Sequence, residues 1–377
     1  ESKKEKVEVN VNDLFYKLNQ ELDINNPKSR LRVLSYDCIF GTDANPRMSR
    51  TAKMNMIMHG DGHGGVHHND GLLNVNGIFD NRFDLILTNP PFGSRVEKSL
   101  KITEADKYTD VKRIEKYKKR YGKAYLNALK QVNDNIGEPI LSLFKTGKMS
   151  SLTEVLFIER CLNLLKSGGR MGIVLPEGVL NNSNLQKIRD FVESRAKIVL
   201  ITSIPQDVFI ASGATVKPSL LFFKKFTNEE AKNFNRISNL AKIEIEEKYA
   251  SEIAPIKSKL ALRGKDAPTS FEKKGLRKEL KILEQKIASE IKLKIKTDFD
   301  YQIPIAEVEK AGISTTGAKI ENELEPLAIE FNTYRKKNKL WEGKFNEITY
   351  NADKKGNYHR IAIVDTVAQE PEIFYGK

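Results

Sequence analysis

The chain has 377 residues, of which 40% are hydrophobic, so it can form one large domain or two smaller ones with a sizeable core. The net charge of +13 favours a polyanionic partner such as nucleic acid. The chain contains no apolar run long enough to span a membrane, its charged N-terminus is unlike a signal peptide, and its two cysteines argue against a disulfide framework. A reducing cytoplasm suits this composition.

The N-terminal half alternates predicted strands and helices, which indicates an α/β fold with a largely parallel sheet. A strand is predicted over residues 31–40, with Asp43 just beyond its end. Asn45 and Pro46 then predict a helix start, since Asn caps helices and Pro is favoured at the first helical position. The next strand is expected near residues 71–74.

Residues 83–88 form an apolar strand that runs directly into Asn89, Pro90, Pro91 and Phe92. The two prolines fix two φ angles and remove two N–H donors, which predicts a rigid, extended turn. Such a turn presents the Asn89 amide oxygen, the Pro90 carbonyl and the Phe92 ring at the carboxyl edge of the sheet, where open α/β folds bind ligands. A planar base with an exocyclic amine fits this set of groups, whereas the alternative is a proline turn without chemistry.

The region that follows contains a charged helical insertion and then further sheet elements. The insertion is predicted over residues 94–150. Gly168 and Gly169 are expected to stop the next helix, and the last two strands suit an antiparallel edge. The later predicted elements are a helix at 153–166, a strand at 170–175, a helix at 185–194 and strands at 197–203 and 220–224.

Beyond residue 226 the chain becomes rich in Lys and Glu. Residues 227–300 predict a helical hairpin or one arm of a coiled coil, because a break at 267–269 precedes an apolar stripe with spacings of three and four. The stripe consists of Leu276, Leu280, Leu283, Ile287, Ile291 and Ile295. Its alternatives are a solvated hairpin that packs on itself and an element that docks a subunit or clamps DNA. Residues 301–377 form a mixed C-terminal segment without an assigned chemistry.

Two acidic residues and a histidine cluster complete the candidates. Asp43 follows a predicted strand, so its carboxylate can accept the hydroxyl protons of a ribose or, alternatively, cap the next helix. Asp70 precedes Gly71, a pair that is also common in plain turns. His59, His63, His67 and His68 lie within ten residues, but glycines surround them and no nearby cysteine or evident chemistry calls for zinc, so no metal site is predicted.

The turn at Asn89 resembles the catalytic motif of amino-group DNA methyltransferases that produce N6-methyladenine. Its surroundings resemble the methylation subunit of type I restriction–modification systems, densely over residues 31–226 and loosely elsewhere. Relatives that methylate glutamine amides in proteins usually have Tyr where this chain has Phe92. The further stretches that carry the resemblance are 41–46 (GTDANP), 52–56 (AKMNM), 69–73 (NDGLL), 164–170 (LLKSGGR) and 173–180 (IVLPEGVL).

The resemblance implies a Rossmann-like methyltransferase sheet, S-adenosylmethionine as cofactor, and adenine N6 in DNA as methyl acceptor. The implied partners are double-stranded DNA and the specificity and restriction subunits of the same system. By the motif matches, the catalytic residues are Asn89, Pro90, Pro91 and Phe92, and the cofactor contacts are Asp43 (ribose), Asp70 and Gly71 (adenine) and Asn89. The target base stacks on Phe92 and Phe209, and the alternative for Phe209 is a plain core position.

One feature of the family is missing from the sequence. Its members place a strand and a Gly-rich loop before the ribose-binding acid, but no glycine precedes Gly41. We therefore expect a sheet that is incomplete on its N-terminal side, a truncated chain, and weak or no cofactor binding by the chain alone. Alternatives are a self-sufficient restriction–methylation enzyme or a non-catalytic fragment that serves in assembly. The expected domains are 1–226 (catalytic), 227–300 (helical arm) and 301–377 (mixed).

Overall fold

The computed structural model describes residues 2–26, 28–60, 65–210, 216–263 and 267–340, and the backbone of four short strands beyond them. The chain divides into two compact units. The first consists of residues 1–79, 101–138 and 309–377, and the second of residues 80–100 and 139–308. The domain boundaries expected at residues 226 and 300 stay predictions.

Helices and strands alternate along much of the described chain, and none of the described helices is both long and apolar enough to cross a membrane. The helices are α1 Ser2–Leu22, α2 Arg30–Val33, α3 Pro46–Met58, α4 Val111–Tyr121, α5 Lys123–Asn133, α6 Thr153–Leu164, α7 Glu177–Asn181, α8 Gln186–Glu193, α9 Asp207–Ile210, α10 Asn228–Ala261, α11 Ser270–Asp298 and α12 Leu324–Lys337. The strands are β1 Gly41–Asp43, β2 Val66–His68, β3 Phe83–Thr88, β4 Leu165–Pro176, β5 Ala196–Ser203, β6 Pro218–Lys225, β7 Ile305–Glu307, β8 Ala311–Ile313, β9 Lys319–Asn322, β10 Lys344–Phe345, β11 Ile348–Ala352, β12 Tyr358–Ala362 and β13 Thr366–Val367.

The second unit is built on a mixed five-stranded sheet with the order β3-β4-β6-β5-β7. β3 is parallel to β4 and β7 is parallel to β5, whereas β6 is antiparallel to both of its neighbours. The last two predicted strands, β5 and β6, are antiparallel to each other as expected, but they do not form the edge of the sheet, because β6 lies next to β4 and β5 pairs with β7. Leu221 and Phe223 of β6 are almost fully buried, and burial on this scale favours an internal strand.

The core of the second unit lies between this sheet and the helices α6 and α8. Its side chains reach almost complete burial, which makes the sheet a rigid support for the end of β3. The cluster includes Val155, Ile158, Leu162, Leu165, Met171, Ile173, Leu175, Ile188, Phe191, Leu221 and Phe223.

Gly168 and Gly169 do not stop a helix, contrary to expectation. α6 already ends at Leu164, and both glycines lie in a bulge at the start of β4, where Phe83 pairs with Leu165 but Leu85 pairs with Arg170. Gly168 has a φ of 76°, which allows the extra residues to leave the ladder and return to it.

The predicted hairpin over residues 227–300 is confirmed by the antiparallel pair α10 and α11. Ile287 of the apolar stripe is buried against Ile245 and Tyr249 of α10, with Leu283 and Ile291 packed beside them. The Tyr249 hydroxyl also donates to Glu290 Oε1 at 2.6 Å. The stripe is therefore occupied within the hairpin, which supports packing on itself rather than a stripe that awaits a partner.

The first unit contains a parallel pair of strands and a small aromatic core. β1 pairs with β2, with Gly41 opposite Val66 and Asp43 opposite His68. α4 and α5 form the predicted helical insertion together with short 3-10 turns, and they pack around one cluster. The residues of this core are Phe79, Tyr117, Tyr125, Ala128 and Leu129. The α/β class with a helical insertion and a C-terminal hairpin is thus confirmed.

Two predicted strands of the first unit were wrong. Residues 31–40 form α2 and a π-helical turn, because the Ser29 hydroxyl accepts from the Arg32 amide at 3.1 Å and caps a helix there. The strand expected near 71–74 lies earlier, at β2. Asp70 Oδ1 accepts from the Leu72 amide at 2.9 Å, and this closes a turn where an extended strand was expected.

His67 in β2 predicts a pH dependence of folding stability. Burial, together with Lys53 and Arg113, lowers the pKa of the imidazole from 6.5 to about 4. Since the unfolded chain regains the higher pKa, it binds more protons than the folded chain between these pH values. Stability is therefore fully present above pH 6.5 and falls by about 3 kcal/mol as the pH drops to 4, at about 1.4 kcal/mol per pKa unit.

Urea unfolding at a series of pH values measures this effect. In His67→Gln the loss of stability on acidification should shrink by about that amount, because the titrating group is gone. His68→Gln is the matched control, since His68 is the exposed neighbour on the same strand. Equal pH dependence in the two variants would contradict the assignment to His67.

Candidate functional site

The turn Asn89-Pro90-Pro91-Phe92 begins where β3 leaves the sheet. Thr88, paired with Ile173, is the last β3 residue in the ladder. Asn89 is exposed and Pro90 is buried, and within the described residues no protein group donates to the Asn89 side chain or to the Pro90 carbonyl. Two hydrogen-bond acceptors without a protein donor among the described residues thus lie at the carboxyl edge of a parallel strand, and the exposed Asn89 amide is open to a ligand.

The segment after the turn is held by the N-terminus of α6. The amide and hydroxyl of Thr153 both donate to the Ser94 carbonyl, at 2.9 and 3.1 Å. The Val96 amide donates to the Ser151 carbonyl at 2.9 Å. Gly93 has a φ of 68°, a conformation that side chains disfavour, and it redirects the chain from the turn toward this contact.

Glu154, in the first turn of α6, is the residue at this site that the sequence analysis missed. Its side chain is buried, and its Oε1 accepts from the Gly93 amide at 3.3 Å. Its Oε2 is buried without a hydrogen-bond partner among the described residues. A signal existed in the sequence, because Glu154 shares a helical face with the apolar Ile158, Cys161 and Leu165.

Phe92 and Phe209, the two predicted base-stacking rings, contact each other directly. Their centroids are 5.8 Å apart and their planes are perpendicular. This edge-to-face contact leaves no space for a base between the rings. A base can therefore stack on both of them only after the Phe209 ring moves, whereas stacking on Phe92 alone requires only the exposed part of its face.

Asp43, Asp70 and Gly71 belong to the first unit and lie together at the carboxyl edge of its parallel strands. Asp43 ends β1 and Asp70 lies two residues beyond the end of β2. Asp43 Oδ1 accepts from the Asn45 amide at 2.7 Å, and Asp70 Oδ1 is engaged in its own turn. No partner of either Oδ2 is found within the described part of the chain, so each acid keeps a free acceptor.

The helix that follows Asp43, α3, is capped by Asn45, as the sequence predicted. Asn45 Oδ1 accepts from the amides of Arg47 and Met48, and Pro46 occupies the first helical position. The alternative role of Asp43 as the cap of this helix is therefore taken by Asn45. The Asp43 carboxylate supports the turn between β1 and the cap.

The described histidines contact different groups. His59 Nδ1 lies 2.8 Å from the Asn55 carbonyl, His68 Nε2 lies 3.0 Å from the Ala44 carbonyl, and His67 Nδ1 lies 3.1 Å from Asn76 Nδ2. His63 lies outside the described residues. Among the residues that the structure describes, no group of three potential metal ligands converges.

The sequence matches the N-6 DNA methylase family over residues 27–135 and 142–252. This match covers more than half of the chain and includes both the turn at Asn89 and the two acids. The chain belongs to the N-6 DNA methylase family.

Several solved structures resemble the chain loosely. A proposed modification subunit of a type I restriction enzyme from Vibrio vulnificus YJ016 is 22% identical, with a TM-score of 0.37 over 53% of this chain and 35% of that one. The M protein of the type I restriction enzyme EcoKI is 21% identical, with a TM-score of 0.36 over 56% and 36% of the two chains. A chain of a type I R-M system is 20% identical, with a TM-score of 0.36 over 71% and 55%.

The chain spans from about a third to just over half of the length of these proteins. Superposition at these low TM-scores adds no argument of its own. The family assignment rests on the sequence match.

Proposed function

We propose that this chain is the catalytic part of an adenine-specific DNA methyltransferase that uses S-adenosylmethionine, within the methylation subunit of a type I restriction–modification system. The observation that carries the proposal is the turn at Asn89. It presents two unpaired acceptors, the Asn89 side chain and the Pro90 carbonyl, next to the Phe92 ring. Membership of the N-6 DNA methylase family supports the same chemistry.

The proposed role of the turn is to bind and activate an exocyclic amine. The N6 nitrogen of adenine is a weak nucleophile because its lone pair is conjugated with the ring. Acceptors at Asn89 and Pro90 bind both amine protons and favour a tetrahedral nitrogen, whose lone pair is then free to react. This is catalysis by positioning and preorganised electrostatics, and it requires no strong base.

The target base must leave the duplex to reach this turn. Stacking on an aromatic side chain is worth about 1–3 kcal/mol per base, so Phe92 offsets part of the cost of unstacking. In the observed arrangement Phe209 covers Phe92 edge-on, and its proposed role as a second stacking ring requires the ring to turn.

The residues present fit the nucleoside end of S-adenosylmethionine. Asp43 and Asp70 each offer a free carboxylate oxygen, which suits the ribose hydroxyls and the adenine amine. Gly71, next to Asp70, is the other proposed contact of the adenine. When bound, the cofactor supplies a methyl group on an electrophilic sulfonium. The chain's own residues contribute the binding of its nucleoside and the orientation of the target amine.

The proposed partners are double-stranded DNA and the specificity and restriction subunits. Since the apolar stripe of α11 is occupied by α10, docking of a subunit rests instead on the opposite face of α11. Phe271, Ile282 and Leu293 recur there every eleven residues and are all exposed. Loss of co-purification with the specificity subunit in Ile282→Asp, with normal folding, supports this docking face, and unchanged co-purification contradicts it.

Product analysis tests the proposed reaction. The full-length protein is incubated with duplex DNA and S-adenosylmethionine that carries a labelled methyl group, and the DNA is digested to nucleosides. The expected product is labelled N6-methyladenine. Label on another base, or in protein only, would refute adenine N6 as the acceptor.

A further inference from the structure

The positive charge of the chain is concentrated in the helical insertion. Residues 111–133, which form α4 and α5, contain eight Lys and Arg residues and a single acidic residue, Glu115. This segment is a small part of the chain but accounts for a large share of its net charge of +13. The catalytic proposal assigns it no role.

The packed side chains and the charged side chains of α4 lie on opposite faces of the helix. Tyr117 is buried, and Ile114 and Tyr121 are partly buried against the aromatic core. Lys112, Lys116 and Lys119 recur with spacings of four and three on the other side of the helix, and all three are exposed. We call these three lysines the basic stripe.

The charges of the basic stripe are not neutralised by any carboxylate in the part of the chain that the structure describes. Arg113 and Arg120 of the same helix pair with Asp110 and Asp37. In contrast, no carboxylate partner of Lys112, Lys116 or Lys119 exists among the described residues. Unpaired positive charges on one helix face create a potential that attracts a polyanion.

The hairpin of α10 and α11 also has a lysine-rich surface, but many of its positive charges are neutralised. Many of its lysines are paired with acids of neighbouring elements, and acidic residues alternate with the rest. The pairs are Lys248–Glu290 at 2.8 Å, Lys294–Glu244 at 3.0 Å, Lys296–Glu193 at 3.7 Å and Lys292–Asp190. These ion pairs join elements to one another, so the hairpin is the weaker candidate for a phosphate contact.

We propose that the basic stripe binds the phosphate backbone of duplex DNA. From Lys112 to Lys119 the helix rises about 10 Å, at 1.5 Å per residue. This is about three steps along one DNA strand, at about 3.4 Å each. Such contacts position the duplex without reading its sequence. The proposal rests on the proposed function, because it takes DNA as the substrate.

The test compares two triple variants in the full-length protein. The first is Lys112→Gln, Lys116→Gln, Lys119→Gln. The matched control is Lys274→Gln, Lys278→Gln, Lys281→Gln, which removes three exposed lysines with the same spacing from α11. Glutamine is about as good a helix former as lysine, and circular dichroism checks that both variants fold.

Binding of a fluorescent duplex, measured by anisotropy across a range of salt concentrations, gives the slope of log K against log salt. Each phosphate contact contributes about 0.9 to the magnitude of this slope. For the basic-stripe variant, which loses three contacts, we expect the magnitude of the slope to fall by about 2.7. The α11 variant should change the slope by less than about 1. An unchanged slope in the basic-stripe variant, or equal losses in both variants, would overturn the proposal.

The product analysis separates this inference from the proposed function. Binding that depends on the basic stripe, without any N6-methyladenine, leaves the stripe assigned and refutes the reaction. Formation of N6-methyladenine together with an unchanged slope in the basic-stripe variant refutes the stripe alone.

Discussion

Replacement of Asn89 by Ala is expected to lower the rate of methyl transfer about 10³-fold, with little change in the affinity for S-adenosylmethionine. The side chain is exposed and unpaired at the end of β3, so its removal should not disturb the fold. What is lost is one of the two proposed acceptors for the target amine, and single preorganised groups of this kind are worth about 10²–10³ in rate. Single-turnover kinetics with duplex DNA measures the effect.

Two further variants sharpen this test. Asn89→Asp keeps an acceptor at the same position and should recover part of the activity. Asn184→Ala, which removes an exposed amide elsewhere in the same unit, should leave the rate unchanged. A rate for Asn89→Ala within a few-fold of the wild type would remove Asn89 from the proposed catalytic site.

Glu154→Ala is expected to lower the rate of methyl transfer about 100-fold, mainly through the maximal rate. Glu154 touches the turn through the Gly93 amide, so it acts as a positioning residue for Asn89 and Phe92. Without it, Gly93 loses its hydrogen bond and the turn can adopt other conformations, and small displacements at a reacting centre cost about 10²-fold. Affinity for S-adenosylmethionine should be unaffected.

Glu154→Gln distinguishes positioning from a general effect on folding. The glutamine oxygen can still accept from Gly93, while the burial of a charge disappears, so we expect most of the activity and equal or greater thermal stability. Glu229→Ala, at the exposed first turn of α10, is the control. Full activity in Glu154→Ala would show that the turn is held well enough by Thr153 and Ser94.

Several features of the fold were predictable from local sequence because short-range physics dominates them. The turn at Asn89 follows from two consecutive prolines after an apolar strand. The start of α3 follows from Asn45 and Pro46, and the hairpin from the break before Thr269 and the apolar stripe of α11.

Other features were not predictable because long-range pairing decides them. The sequence favours β5 and β6 as an antiparallel edge, yet β6 lies between β4 and β5, and β7 lies outside β5. The pairing of the whole sheet decides this order. Gly168 and Gly169 read as a helix stop, but the pairing of β3 with β4 places them in a bulge. The strand predicted over residues 31–40 does not form, because Ser29 caps α2 there. This cap is a local signal, but the apolar pattern of the segment favoured a strand.

The sequence by itself determined which candidate groups each unit carries: the acceptors and ring of Asn89, Pro90 and Phe92 in the second unit, and the acids Asp43 and Asp70 in the first. These groups were identified because each residue type has a known chemistry and because each lies close to the end of a predicted strand. Only the tertiary structure decided that Glu154 holds the turn, because its contact with Gly93 joins residues 61 positions apart. It also decided which lysines stay unpaired, because a charge is free or neutralised according to the neighbours that folding brings to it.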